Sequence, residues 1–411
     1  MAEATAASAP DLAGLLSRRA RDLPSTPRMA TDGKSAERIA FSYGFPDPAS
    51  LPASDVAAAT TAVLARAGDR ALQYGSTTGV ADLIEVLLAK LKRDQGIEAG
   101  PRNILITAGG SQALALVLDL LVDWGDAVIT EEPTWMGAVR AFANVGAETV
   151  TVPVDGEGTD VDALERALVG LRDAGRRAKM IYVISNFQNP SGASTTLERR
   201  RRIVELAHEH GTYIFEDDAY HDLRYEGERI PPIYTLDDRG QTMYMGTFSK
   251  IMGAGMRLGW LVASPEIITK LAVLKIDGGT NIFGSYVAAE WVPNHLDEHI
   301  DRLRVIYRRR RDLMLDALAR HMPEGTTWSR PEGGFFLWVT LPEGLDAGRM
   351  ATQARERGVE FLPGRTCFMG DGGINTLRLS YSFAQDEQID PGVKVIGEIA
   401  RGELLELGRS A

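Results

Sequence analysis

Lys250 ends the run Met243-Tyr244-Met245-Gly246-Thr247-Phe248-Ser249-Lys250, and the glycine-rich Ile251-Met252-Gly253-Ala254-Gly255-Met256-Arg257-Leu258-Gly259 follows it. No acid stands within eight residues on either side. An amine with no local carboxylate to keep it charged can serve as a nucleophile. Thr247, Ser249 and Arg257 are donors grouped around it, and together they suit a phosphate lying beside the amine. A lone surface lysine in a loop is the competing reading, so other positions must carry the case.

The second chemical feature is the apolar Tyr213-Ile214-Phe215 ending in Glu216-Asp217-Asp218-Ala219-Tyr220. Acids at the end of a buried strand need a positive partner. A protonated pyridine nitrogen would meet that need, and the Tyr220 hydroxyl three residues on could bond a phenolic oxygen of the same ring. With the amine and phosphate donors around Lys250, this suggests pyridoxal 5'-phosphate. Metal binding or solvated loop acids are the rival uses. No His-rich or spaced carboxylate partner stands elsewhere, so no metal site is expected.

These residues need a scaffold. From Asn103 to Ala263 short β-rich runs alternate with helical stretches, which predicts an α/β fold on a mainly parallel sheet. The seven runs are 103–107, 127–130, 149–152, 180–185, 212–216, 243–246 and 258–263. Ligands of such sheets bind beyond the carboxyl ends of the strands, so the residues just after each run are candidates. After the first come Gly110, Ser111 and Gln112, opening a helix whose free N–H groups suit an anion or form an ordinary cap. After the second comes Trp135, either a face for stacking on a flat ring or a core residue. After the fourth comes Asn189, held extended by Pro190 or simply part of an Asn-Pro turn. Upstream, Gly44 allows close backbone approach to a ligand or merely turns the chain, and Tyr74 stands in a polar, glycine-bearing loop that presents its hydroxyl.

Helices are expected at 12–22, 53–67, 80–94, 265–274 and 285–318, and the last ~90 residues read as a small α+β unit with strands at 333–339 and 376–381. Arg378 lies within the second of these strands, where a half-buried guanidinium meets a carboxylate, either a structural Asp or Glu or one from a ligand. The division that follows is an arm at 1–40 with its first ~10 residues disordered, a large domain at 41–300 whose residues 41–55 can pack with the small one, and a small C-terminal domain at 301–411.

The 411 residues carry a net charge of −11, with 44% hydrophobic and 25% charged residues. This describes a soluble globular protein and disfavours a nucleic-acid surface. The basic runs Arg199 to Arg202 and Arg308 to Arg311 read as solvated helix faces. No apolar run approaches the ~18 residues of a membrane span. The single cysteine, Cys367, excludes an intrachain disulfide and fits a reducing cytoplasm. Met1 to Asp11 has no apolar core of a signal peptide.

In order along the chain, Gly44-Phe45-Pro46-Asp47-Pro48, Gln73-Tyr74, Thr107 to Leu114, Glu132-Pro133-Thr134-Trp135, Asn189-Pro190-Ser191-Gly192, Asp217 to Tyr220, Ser249-Lys250, Arg257, Pro331 to Val339, Pro363-Gly364 and Arg378 resemble the fold-type I pyridoxal-phosphate aminotransferases. The likeness is to class I/II, in the branch of 2-aminoadipate and kynurenine aminotransferases. It implies a homodimer that moves an amino group from an L-amino acid to a 2-oxo acid at shared active sites. By resemblance Lys250 carries the cofactor, Asp217 pairs with the pyridinium nitrogen, and Asn189 and Tyr220 hold the phenolate oxygen. Gly110, Ser111, Thr247, Ser249 and Arg257 bind the phosphate, Tyr74 reaches in from a second subunit, and Arg378 binds the substrate α-carboxylate. Trp135 stands where Tyr is usual, and Gly109-Gly110-Ser111-Gln112 where Gly-Ser-Gln-Gln is common. The first departure keeps a ring but loses a hydroxyl, which leaves a lyase, decarboxylase or amino-acid oxidase on the same scaffold as the alternative. The branch also includes transcription regulators with an N-terminal winged helix; with only about 40 residues before Phe41, such a regulator is not expected.

Overall fold

The computed structural model describes residues 12–21 and 38–408; the disorder expected of the first ten residues lies outside them. Strand β1 is Ile39–Ala40, and the strands that follow are β2 Ile104–Thr107, β3 Ala127–Glu132, β4 Glu148–Asp155, β5 Gly158–Thr159, β6 Ala178–Val183, β7 Tyr213–Asp217, β8 Thr242–Thr247 and β9 Gly259–Val262. The central sheet has eight strands in the order β2-β9-β8-β7-β6-β3-β4-β5. From β8 to β4 every neighbour is parallel, while β9 runs against both β2 and β8. Helices cover both faces, which is why β2, β3 and β8 are buried almost end to end. All seven expected strands are present. The eighth, β5, is a two-residue hairpin partner of β4, too short to leave a periodicity.

A second sheet is antiparallel, with β10 Thr327–Trp328, β11 Phe336–Thr340, β13 Leu362–Pro363 and β14 Thr376–Ser380 in the order β10-β11-β14-β13. Strand β12, Val359–Glu360, pairs with β1, so the end of the segment assigned to the arm joins the C-terminal part. The two sheets are linked by a helix of 40 residues, Ile282–His321, about 60 Å long at ~1.5 Å per residue. It packs on Ala53–Ala71 and on the C-terminal helix Asp386–Glu406. The stretch expected as one helix at 12–22 is two short ones, Leu12–Leu15 and Arg18–Arg21.

The basic runs are not solvated faces throughout. On a helix, four consecutive residues span more than one turn, so at least one side chain points inward. In the helix Leu197–His210 it is Arg200, fully buried and donating to the carbonyls of Thr195, Ser185 and Pro231. In the long helix Arg310 and Arg311 are buried; Arg310 bonds Asp386 and the Ser382 carbonyl, and Arg311 bonds Glu226 and the Pro331 carbonyl.

Candidate active site

A cleft of about 350 Å³ opens beyond the carboxyl ends of β2, β3, β6, β7 and β8. Its lining gathers Gly44, Gly110, Ser111, Trp135, Asn189, Asp217, Tyr220, Thr247, Ser249, Lys250, Arg257 and Arg378, segments spread over more than three hundred residues of chain. Gln112 and Tyr74 lie outside it, Gln112 against expectation. The Gln112 side chain accepts from the Ala108 N–H at 2.7 Å and donates to Asp277, which turns it away from the cleft. Tyr74 is 86% exposed on the surface and does not line the cleft of its own chain.

Lys250 sits at the end of a single 3₁₀ turn, Phe248–Lys250, started by Thr247, whose hydroxyl accepts from the Ser249 N–H at 3.1 Å. Its Nζ donates to the Gly44 carbonyl at 3.0 Å and lies over the Tyr220 and Phe335 rings. Burial, then the positive charge of Arg378, brings the amine down to about 8 against the pull of Asp217. Gly44 is a glycine because a Cβ there would stand 2.8 Å from the Phe336 ring.

The three acids at the end of β7 divide by face, as strand alternation requires. Asp217 lies on the face of Phe215 and Tyr182 and accepts the Tyr182 hydroxyl at 2.7 Å. Glu216 faces the other way, taking the Ser185 hydroxyl and the N–H groups of Ile233 and Tyr234. Asp218 is held by Asn186, His221 and Tyr244. Only Asp217 reaches the cleft. Burial pushes its carboxyl up to about 6 against the Tyr182 hydrogen bond, so it is ionised at neutral pH.

Ser111 opens the helix Gly110–Leu121, whose first N–H groups have no partner within the helix. Around that end stand the Thr247 and Ser249 hydroxyls, 2.9 Å apart, and the Arg257 guanidinium, which donates to the Ala108 carbonyl at 2.6 Å. Arg257 is held in the left-handed region at φ 47°. Gly109, at φ 80°, leaves room for it, since a Cβ there would stand 3.0 Å from Nη2.

Arg378 is buried at the opposite wall. Among the described residues no carboxylate pairs with it: Nη1 donates to Asn189 Oδ1 at 2.9 Å, Nη2 to the Ser42 carbonyl at 2.6 Å, and Nε has no partner. The reading of Arg378 as half of a structural ion pair is therefore corrected. A buried guanidinium whose Nε–H has no partner suits a carboxylate brought by a ligand. Trp135 is half-buried, packing on the core with one part and lining the cleft with another, so both readings of it hold. Sequence reasoning missed Tyr182 and the buried Glu131. Glu131 accepts from Thr159, Ile184 N–H and Gln188, and Gln188 also donates to the Pro133 carbonyl, which ties the segments carrying Trp135 and Asn189 together. The signal for both was a polar group near the end of an apolar strand.

The chemistry of this donor set fits pyridoxal phosphate at each end: an anion site of helix N–H groups, hydroxyls and guanidinium, an amine of lowered pKa, and an ionised acid in a buried position.

Residues 39–396 match the family model "Aminotransferase class I and II". The chain is 38% identical over 374 residues to aromatic-amino-acid aminotransferase 1 of Thermococcus litoralis, covering 90% of each chain. It is 36% identical over 371 residues to the 2-aminoadipate transaminase of Thermus thermophilus, covering 89% of this chain and 91% of that protein. Among solved structures it is similar to kynurenine aminotransferase of Pyrococcus horikoshii, with a TM-score of 0.92 and 36% identity over 96% of this chain and 99% of that one. With the fold, the cleft and these likenesses together, the chain belongs to aminotransferase class I and II and is a pyridoxal-phosphate-dependent transaminase.

Proposed function

We propose that the protein transfers an amino group from an L-amino acid to a 2-oxo acid as a homodimer in the cytoplasm, with the cleft residues in the following roles. Gly110, Ser111, Thr247, Ser249 and Arg257 would hold the cofactor phosphate, Trp135 would offer its face to the ring, and Asn189 and Tyr220 would hold the phenolate oxygen. When bound, pyridoxal phosphate supplies an electron-withdrawing ring and a carbonyl that takes up the amino group. Asp217, ionised above about 6, keeps a negative charge opposite the ring nitrogen, and Tyr182 fixes its orientation. Arg378 receives the substrate α-carboxylate and sets which face of Cα meets Lys250. Lys250 Nζ, neutral above about 8, would hold the cofactor and would serve as the proton carrier at the substrate Cα.

The observation that carries this reading is the pairing within one cleft of a buried amine with lowered pKa and a buried acid that stays ionised. Homodimer formation is supported by apolar side chains that this chain leaves in solvent around the Tyr74 loop: Leu72 is 72% exposed and Ile276 94%, and a Cβ at Gly278 would stand 3.2 Å from the Tyr74 ring. The cytoplasmic placement is supported by a single, buried cysteine. A panel of amino donors assayed with a 2-oxo acid tests the reaction. One amino acid should form for each 2-oxo acid consumed; release of ammonia or carbon dioxide without that stoichiometry would place the enzyme among the other pyridoxal chemistries.

A further inference from the structure

Trp135 and Asn189 line the cleft from two separate loops, those that follow β3 and β6. A side chain that does not itself line the cleft, Gln188, bonds both. Its Nε2 donates to the Pro133 carbonyl at 2.7 Å and to Glu131 Oε2 at 3.2 Å, and its Oε1 accepts the Ser191 N–H at 2.9 Å. Both N–H groups are spent on the Trp135 side and the oxygen on the Asn189 side, so the amide has one satisfied orientation. Turned over, its oxygen would face the Pro133 carbonyl and the Glu131 carboxylate.

Glu131 sets that orientation. It is fully buried, and among the described residues no cation pairs with it; it receives the Thr159 hydroxyl, the Ile184 N–H and Gln188. The titratable groups facing it, Asp217 on β7 and Tyr182 on β6, bring no positive charge, and burial pushes the carboxyl up to about 7. A buried acid without a cation is costly, and a plain loop brace could be made from neutral groups. The loop also needs restraint. Phe187, next to Gln188, is held in the left-handed region at φ 48°, with its side chain wedged where a Cβ on Gly333 or Gly334 would collide with it.

We propose that Gln188, oriented by Glu131, is a positioning residue for transamination: it sets the separation of Trp135 and Asn189, and with it the fit of the slot that takes the cofactor ring. The inference rests on the ring contacts proposed above for those two residues.

The test follows loss of pyridoxal phosphate from holoenzyme on dialysis. Gln188→Leu removes the clamp and should release cofactor roughly tenfold faster at every pH, the size of one or two hydrogen bonds. The absorbance of the bound cofactor should shift as well, because the partner of its phenolate oxygen has moved. Gln188→Glu keeps the shape but sets a carboxylate against Glu131 and the Pro133 carbonyl, so it clamps only while the two acids share a proton. Its retention of cofactor should approach wild type near about pH 6 and fall at least roughly tenfold by about pH 9. Wild type should slope the other way, since Lys250 is neutral above about 8 and then holds the cofactor better. A Gln188→Glu profile parallel to wild type, or a Gln188→Leu release rate equal to wild type, overturns the proposal. If Gln188→Leu does not fold, the Gln188→Glu profile decides alone, because both of its ends are read on one protein. Trp135→Ala and Asn189→Ala should also release cofactor faster. If neither does, the ring contacts fail and the proposal with them; if both do while the Gln188 variants behave as wild type, the clamp alone is overturned.

Discussion

Arg378 Nη1 donates to Asn189 Oδ1 at 2.9 Å, so a strand of the small sheet and a loop of the large one meet at a single guanidinium. The residue proposed to receive the substrate is bonded to one proposed to hold the cofactor. Replacing Arg378 by Leu should therefore raise KM for amino acids and 2-oxo acids alike by about 10- to 100-fold, the loss of one or two charge-assisted bonds. Cofactor absorbance should change little. Steady-state kinetics with several substrates check the first part, and loss of cofactor from the variant would make Arg378 a structural residue.

Lys250→Ala should lower turnover by at least ~10³-fold, because nucleophile and proton carrier are removed together. The readout besides activity is covalent capture. Borohydride treatment followed by peptide mapping should mark Lys250 in wild type and nothing in the variant. A label on another lysine would move the role.

Asp217→Asn should retain bound cofactor and lose activity on the order of 10²-fold, since a neutral amide cannot balance a protonated ring nitrogen. Asp218 cannot substitute, being committed to Asn186, His221 and Tyr244. Near-normal turnover in the variant would contradict this assignment.

The lowered pKa of Lys250 gives a pH dependence with a definite sign. Cofactor-free protein should capture pyridoxal phosphate faster as pH rises, with a midpoint at about 8, because the neutral amine is the reactive form. Arg378 pushes the amine pKa down and Asp217 pulls it up. Arg378→Leu should thus move the midpoint upward and Asp217→Asn downward, measured by stopped-flow absorbance. Movement of both in one direction would refute the electrostatic account.

If Tyr74 serves the neighbouring subunit, Lys250→Ala and Tyr74→Ala chains should complement each other. In a refolded mixture half of the dimers are mixed and each holds one intact site, so activity should reach about a quarter of wild type. A mixture as inactive as its parents would return Tyr74 to its own chain.

How far the sequence could be read depended on whether a residue's partners were near it in the chain. The strand ends and the acids of β7 were legible because strand length and burial are local signals. Arg200 was misread because inward direction on a helix depends on what lies beneath it, in this case the carbonyls of Ser185 and Pro231. The role of Gln112 was unreadable for the same reason: its partner Asp277 is 165 positions away. Arg378 stood out as an anomaly, but only the fold reveals Asn189 and a free Nε in place of an acid.

The sorting of Glu216, Asp217 and Asp218 depends on the register of β7, which is locked between β6 and β8. Three neighbouring acids would seem to offer redundancy, yet they provide none. A one-residue slip of β7 against β6 and β8 would rotate a different carboxylate into the cleft, strip Glu216 of the N–H groups of Ile233 and Tyr234, and leave Tyr182 facing the wrong neighbour. Such a chain would keep its composition and every residue of the site, and still lose the counter-charge. In this enzyme the acid is specified by parity, because strand pairing and not the identity of the carboxylate decides which of the three faces the cleft.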